Sequence, residues 1–178
     1  MEKIRQALIS IKEEVLIIFL VVLFLTFMFS QNGIPSNSME TTLGVGDRII
    51  VSMLPYYYRN PERYEIVVFN GPDGKKWIKR VIGLPGETID ICEGKVYVDG
   101  TQLVEDYLPG EGDSTPDPML MAVSFPYTVP EGKYFLMGDN RFASYDCRYI
   151  GAIDEKEITG KPLLRIFPFN KISKLNDK

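Results

Sequence analysis

Thr88-Ile89-Asp90-Ile91-Cys92-Glu93-Gly94-Lys95-Val96-Tyr97-Val98 places apolar residues at every second position on either side of a Glu-Gly pair. That period gives a strand one apolar face, and a two-residue connection ending in glycine suits a tight hairpin. Strands are therefore predicted over Thr88–Cys92 and Lys95–Val98, with Asp99-Gly100 marking the next turn. The same grammar continues on both sides. Short β-branched and aromatic runs at Arg48–Met53, Glu65–Phe69, Lys76–Ile82, Tyr134–Met137 and Leu163–Phe167 alternate with Gly, Pro, Asn and Asp. Helical periodicity is nearly absent from this part, and the segment Leu108–Pro118 (LPGEGDSTPDP) reads as an exposed loop. The expectation is a mainly β, antiparallel domain, with no internal repeat or low-complexity tract.

The N-terminal region obeys a different rule. Val15–Phe29 is apolar apart from Thr26. As a helix it would be about 22 Å long, and extension through Ser30–Ile34 brings it to the roughly 20 residues that cross a bilayer. A soluble amphipathic helix would need a polar face, which is missing. A cleaved signal peptide would need a small-x-small site, which Ser-Gln-Asn-Gly-Ile-Pro after Phe29 does not supply. The reading is a transmembrane signal anchor over residues 15–34. Lys3, Arg5 and Lys12 precede it and the first basic residue after it is Arg48, so residues 1–14 are expected in the cytoplasm and residues 35–178 outside. Tyr56-Tyr57-Tyr58 has two readings, packing at a sheet edge or seating at the lipid interface.

Composition removes several chemistries. The chain has 178 residues, enough for one domain behind that anchor, with 45% hydrophobic and 25% charged residues. A net charge of −4 and a pI near 5.0 give no support for nucleic-acid binding. Histidine does not occur at all, so a Ser-His-Asp triad, a Cys-His dyad and a His-ligated zinc site are excluded. Acid–base chemistry must come from a shifted Lys, carboxylate, Tyr or Cys. Cys92 and Cys147 match no metal-binding spacing and read either as packing thiols or, in an oxidising compartment, as a pair to be bridged. No metal and no cofactor is expected.

Three segments carry chemistry. Ile34-Pro35-Ser36-Asn37-Ser38-Met39 is a rigid, turn-rich stretch just beyond the apolar run. In Lys76-Trp77-Ile78-Lys79-Arg80-Val81-Ile82-Gly83, strand alternation puts Lys79 on the face of Trp77 and Val81. An ammonium held among apolar groups loses its proton more readily, whereas the Arg80 guanidinium cannot. Gly138-Asp139-Asn140-Arg141, followed by Ser144-Tyr145-Asp146-Cys147-Arg148, reads as a hydrogen-bonding loop after an apolar strand, with charges that can pair internally.

In this order, together with Gly46-Asp47-Arg48-Ile49-Ile50-Val51 and Leu84-Pro85-Gly86-Glu87, these segments resemble the bacterial type I signal peptidases (leader peptidases). The resemblance implies a signal-peptidase-like antiparallel β domain behind one N-terminal transmembrane helix. It implies a membrane-bound serine endopeptidase that removes signal peptides from exported pre-proteins at the outer face of the bacterial cytoplasmic membrane. Its substrates would carry small residues at −1 and −3. By resemblance Ser38 is the nucleophile, Lys79 the general base, Ser36 a partner of the Ser38 amide in the oxyanion hole, and Ser144 the residue that orients the lysine. Arg80, Asp139, Asp146 and Arg148 match supporting positions. Phe142, Ala143 and Cys147 depart from the polar residues often found there. Substrate would add as an extended strand, with Ile34 and Val51 shaping shallow pockets. Two other readings are weighed. A self-cleaving repressor-type Ser-Lys protease would carry a DNA-binding module where this chain has an apolar run. A membrane-anchored β scaffold without activity would not need Ser36, Ser38, Lys79 and Ser144 together. The ER-type signal peptidases typically use His where Lys79 stands, and this chain has no His.

Overall fold

Residues 2–110, 112–117, 119–120 and 123–175 of a computed structural model are described below, with side chains from residue 11 onward except residue 27. Among them the chain runs α1 (Glu2–Met28), β1 (Phe29–Gly33), β2 (Arg48–Ser52), β3 (Ile66–Asn70), β4 (Lys76–Gly83), β5 (Thr88–Cys92), β6 (Lys95–Val98), β7 (Thr101–Gln102), β8 (Tyr127–Thr128), β9 (Lys133–Met137), α2 (Cys147–Ile150), β10 (Ile153–Asp154), β11 (Ile158–Phe167) and β12 (Ser173–Lys174). The hairpin β5–β6 forms where alternation demands it, pairing Ile89 with Val98 and Ile91 with Val96, and joins β7 and β8 in a small sheet of order β7-β6-β5-β8. The larger sheet has the order β1-β2-β11-β3-β4-β9-β10, with β12 on β11. Every strand pair in both sheets is antiparallel.

β11 is longer than expected because it serves two neighbours: Ile158 and Gly160 pair with β3, and Lys161–Phe167 pair with β2. Gly160 stands at the crossover. A Cβ there would lie 2.7 Å from Val51 Cγ1 and 2.9 Å from the Ser52 carbonyl oxygen, so only glycine lets the strands approach this closely. The two-residue strands β7, β8, β10 and β12 escape sequence reading because so few residues cannot display a period.

The anchor expectation needs correcting at its C-terminal end. The helix stops at Met28, and Phe29–Gly33 pairs as a strand with Arg48–Ser52. Ser30, Gln31, Asn32 and Gly33 have poor helix propensity, whereas the ladder satisfies their backbone groups. The Met53 amide donates to the Met28 carbonyl at 3.0 Å, joining the helix end to β2. Among the described residues no helix is long and apolar enough to cross a membrane, although Val15–Leu25 stand exposed along α1. Among its described residues the loop over 108–118 contains no strand, but it is not wholly exposed: Ser114 is completely buried. Glu111 and Pro118 lie outside the described residues. Tyr56 packs inward with its hydroxyl on Glu65, while Tyr57 and Tyr58 point outward. Burial alone would push the Glu65 carboxyl up, but hydrogen bonds from Arg59 and Lys161 hold it down at about 2.

Two apolar cores result. One gathers Val67, Phe69, Val81, Ile82, Ile89, Phe135, Leu136, Met137 and Cys147 between the sheets. The other gathers Ile34, Met39, Leu43, Ile49, Val51, Ile66 and Val68 beneath the β1–β2 connection. β4 reaches both cores, and the chemistry of the molecule collects along it.

Candidate active site

The β1–β2 connection is short, tightly bonded and pinned at both ends. The Ile34 amide donates to the Asp47 carbonyl and the Gly46 amide to the Ile34 carbonyl, both at 2.9 Å. Met39 and Leu43 anchor it by burial, and the Leu43 amide donates to the Met39 carbonyl at 2.8 Å. Asn140 ties it to the far loop, its amide donating to the Ser38 carbonyl at 3.0 Å and its Nδ2 to the Asn37 carbonyl at 3.1 Å. These constraints hold Ser38 at 8% exposure against β4.

Lys79 arrives on β4, paired with Val67 of β3, on the face shared with Trp77. It is 4% exposed, and its ammonium lies 5.6 Å from the Trp77 ring centre. Lys79 Nζ is 2.8 Å from Ser38 Oγ and 3.0 Å from the Ile78 carbonyl oxygen. It makes no ion pair among the described residues. Burial pushes its pKa down from the ordinary 10.5, against the opposing pull of Asp146, the Cys147 sulfur and Asp139. Those two carboxylates are already engaged by Arg148 and Arg80. Ser36 Oγ is 3.4 Å from Ser38 Oγ. Ser144 is buried in the same place, but its hydroxyl finds no hydrogen-bond partner, Lys79 included.

Four expected support residues lie behind this pair. Arg80, one residue along β4, makes a two-pronged ion pair with Asp139 at 2.9 and 2.7 Å, donates to the Tyr64 carbonyl at 2.8 Å and stacks on Tyr107 at 4.0 Å. Asp146 caps α2 through the Arg148 amide, receives the Arg148 guanidinium, and accepts from the Gly138 amide at 3.0 Å. Arg148 is wholly buried and also donates to the carbonyls of Ser114, Arg141 and Ser144.

Several contributors were not legible in the sequence. Gly138 is required by crowding: a Cβ there would lie 2.2 Å from Ser144 Oγ and 2.4 Å from the Ser38 carbonyl oxygen. The Thr42 hydroxyl donates to Asp139 at 2.5 Å across 97 residues of sequence, a contact no local pattern announces. Arg141 bridges the Gly138 carbonyl to Glu105, Ser114 and Tyr107, which explains why the loop over 108–118 turns inward. Cys92 and Cys147 are both free, one exposed and one buried; burial pushes the Cys147 thiol up, and its sulfur accepts from the Leu136 amide at 3.1 Å.

A cavity of about 430 Å³ opens beside Ser38 and Lys79. Its walls include Ile34 and Ser36 on one side, Trp77 and Ile78 on another, and Ala143 and Tyr145 on a third. Ile34 is a lining residue as expected. Val51 is not, because it packs into the core against Gly160.

The antiparallel β domain thus buries a serine and a lysine side by side at a cavity, and the comparisons show the family it belongs to. The model of the family described as signal peptidase, peptidase S26, matches residues 8–167. A probable signal peptidase I-2 of Synechocystis is 38% identical over 160 residues, which cover 85% of this chain and 69% of that protein. A signal peptidase I of Bacillus amyloliquefaciens is 37% identical over 92% of this chain and 89% of its own length. A crystal structure of a signal peptidase I from Enterococcus faecalis V583 is 35% identical, covering 58% of this chain and 97% of that one, with a TM-score of 0.49. The chain belongs to the signal peptidase family and is an enzyme of the signal peptidase I kind.

Proposed function

We propose that this chain is a Ser-Lys endopeptidase that removes signal peptides from exported pre-proteins at the outer face of the cytoplasmic membrane. The observation that carries the reading is the 2.8 Å contact between Lys79 Nζ and Ser38 Oγ, with both residues buried. Once neutral, Lys79 accepts the Ser38 proton while Oγ attacks the scissile carbonyl. The oxyanion is received by the Ser38 amide and the Ser36 hydroxyl, donors of a kind worth about 3 kcal/mol each. Lys79 returns the proton to the leaving amine, and the acyl-enzyme is then hydrolysed by a water that Lys79 deprotonates. The Ser144 hydroxyl, buried without a hydrogen-bond partner, takes up the lysine as it moves between these bonds. Arg80, Asp139, Asp146 and Arg148 hold the loops in register.

The substrate fits as an added strand. β1 is an edge strand, and β9 pairs with β4 only from Arg80 onward, so the outer edges of Asn32–Ile34 and Lys76–Lys79 both face the cavity. Small side chains at −1 and −3 are what the family resemblance implies for it. α1 serves as the membrane anchor, with residues 1–14 in the cytoplasm and residues 35–178 outside, supported by the exposed run Val15–Leu25 and the basic residues before it. Its apolar helical part, Val15–Met28, is about 21 Å long, shorter than a hydrocarbon core of about 30 Å, so local thinning and snorkelling of Lys12 accompany this placement. Tyr57 and Tyr58, exposed shortly after the strand bonded to the helix end, sit at the interface.

The test is cleavage of a signal-peptide-bearing pre-protein in detergent by purified enzyme, Ser38→Ala and Lys79→Ala. Each variant should lose roughly 10⁴-fold or more in kcat/KM while staying folded. Substantial cleavage by folded Lys79→Ala sinks the reading.

A further inference from the structure

Directly after Ser38 the chain closes a tight turn under strain. The Met39 carbonyl accepts from the Thr42 amide at 3.1 Å and from the Leu43 amide at 2.8 Å. Within that turn Thr41 takes a φ of +101°. For a β-branched residue this is a steric outlier, and such a conformation persists only where the surroundings over-determine it. Thr41 is itself exposed, so the constraint comes from its neighbours. Thr42 supplies it from two directions. Its hydroxyl donates to Asp139 at 2.5 Å, and its carbonyl accepts from Arg165 Nη1 at 3.1 Å.

Arg165 stands on β11, 123 residues along the chain, and every nitrogen of its guanidinium is engaged. Nη1 also donates to Asp47 Oδ2 at 3.1 Å, and the same oxygen accepts from the Gly44 amide at 3.0 Å. Nε donates to the Lys171 carbonyl at 2.8 Å and Nη2 to Ser173 Oγ at 3.2 Å. One planar fork thus joins Thr42 and Asp47 of the β1–β2 connection to the C-terminal segment. That segment is fixed in its own right. Ser173 pairs with Arg165 in the β11–β12 ladder, the Leu175 amide donates to the Leu163 carbonyl at 2.9 Å, and Leu175 packs on the core beneath the connection. Neither Thr42 nor Arg165 lines the cavity, so whatever they do for the chemistry they do through Ser38.

We infer that Arg165 is a positioning residue for Ser38: it clamps the strained turn behind the nucleophile to the β11–β12 pair and so keeps Ser38 Oγ at hydrogen-bond distance from Lys79. The inference rests on Ser38 being the nucleophile and deepens that reading. Without the clamp, Thr41 is free to relax toward negative φ, and the turn carries Ser38 with it. Glycine adopts the positive φ without steric cost, so Thr41→Gly removes the load that Arg165 opposes.

The experiment measures kcat and KM on a signal-peptide-bearing pre-protein in detergent for the full chain as wild type, Arg165→Gln, Arg165→Lys, Thr41→Gly and the pair Thr41→Gly with Arg165→Gln. Circular dichroism checks that each is folded at the assay temperature. Arg165→Gln should lower kcat by about 10-fold or more with KM within about twofold of wild type, since misplacing a reacting group by a fraction of an ångström acts on the chemical step. Arg165→Lys keeps a cation for Asp47 but cannot span Thr42 and Lys171 together, so it should lose about threefold; it carries the test if Arg165→Gln does not fold. Thr41→Gly alone should change kcat by less than about twofold. Added to Arg165→Gln, it should restore kcat to within about threefold of wild type, a rescue that a merely structural Arg165 would not allow. Wild-type kcat in both Arg165 variants, a loss confined to KM, or no rescue by Thr41→Gly overturns the clamp and leaves the Ser38–Lys79 reading standing. If wild type cleaves no pre-protein, the Ser38–Lys79 reading falls and the clamp falls with it.

Discussion

Lys79 and Arg80 are neighbours on β4, both buried, yet the two faces of the strand treat their charges in opposite ways. On the Arg80 face the protein supplies a two-pronged carboxylate, a carbonyl and an aromatic ring, so the charge is fully compensated. On the Lys79 face it supplies a hydroxyl, a carbonyl and an indole, with no carboxylate at ion-pair distance among the described residues. A guanidinium cannot give up its proton, so burying it demands a counter-ion. An ammonium can, so the absence of one turns burial into a source of free base. One strand thereby carries a structural cation and a titratable amine 3.3 Å of rise apart, roughly, and the side-chain period of two keeps them separate.

The most severe way to break this contrast is Lys79→Arg, which puts a permanent charge on the wrong face. Kinetics on a pre-protein should show a loss of roughly 10⁴-fold, as large as for Lys79→Ala, despite the retained cation. Activity within tenfold of wild type would mean that charge, not basicity, is what Lys79 supplies. Next in size is Asp139→Ala, which strips Arg80 of its partner. Denaturant unfolding should show a destabilisation of about 3–5 kcal/mol, because an uncompensated guanidinium is left in the core. A loss below about 1 kcal/mol would show that Thr42, Tyr64 and Tyr107 suffice for Arg80.

The mildest prediction sharpens the comparison through pH. The folded pKa of Lys79 lies below its unfolded value, so between the two the unfolded chain binds more protons. Stability contributed by this group therefore rises as pH rises, by at most about 1.4 kcal/mol per unit. Lys79→Met should be more stable than wild type below the folded pKa of the lysine, with the gap closing as pH climbs from that value toward the ordinary 10.5. The rate of wild-type cleavage should rise as pH passes through that folded pKa and level off above it. A constant stability gap together with a flat rate from about pH 6 to pH 9 would place Lys79 outside the chemistry.

The elements differ in how far local sequence specifies them. The β5–β6 hairpin was legible to the residue, because alternation and a Glu-Gly turn specify register locally. β11 was only half legible, since Ile158–Gly160 becomes a strand through its fit against β3 and Val51 rather than through its own pattern. β1 reads as helix in the sequence because it follows an apolar helix directly, and only the partner strand β2 reveals its pairing. In the site, Lys79 was accessible through strand alternation. Glu105, Thr42 and Ser114 were not, being polar residues in unremarkable loops whose roles depend on Arg141, Asp139 and Arg148 arriving from elsewhere.

The sequence by itself determined the mainly β character, the absence of imidazole chemistry, the apolar helix and the presence of Ser38 and Lys79 in recognisable surroundings. These are properties of composition and of periods a few residues long. Tertiary structure alone decided that Ser38 lies 2.8 Å from an amine 41 residues away, that Arg80 is compensated while Lys79 is not, and that Trp77 and Tyr145 meet over one cavity. Protonation and pocket shape depend on what is packed around a group, and packing brings together residues that no local window of sequence contains.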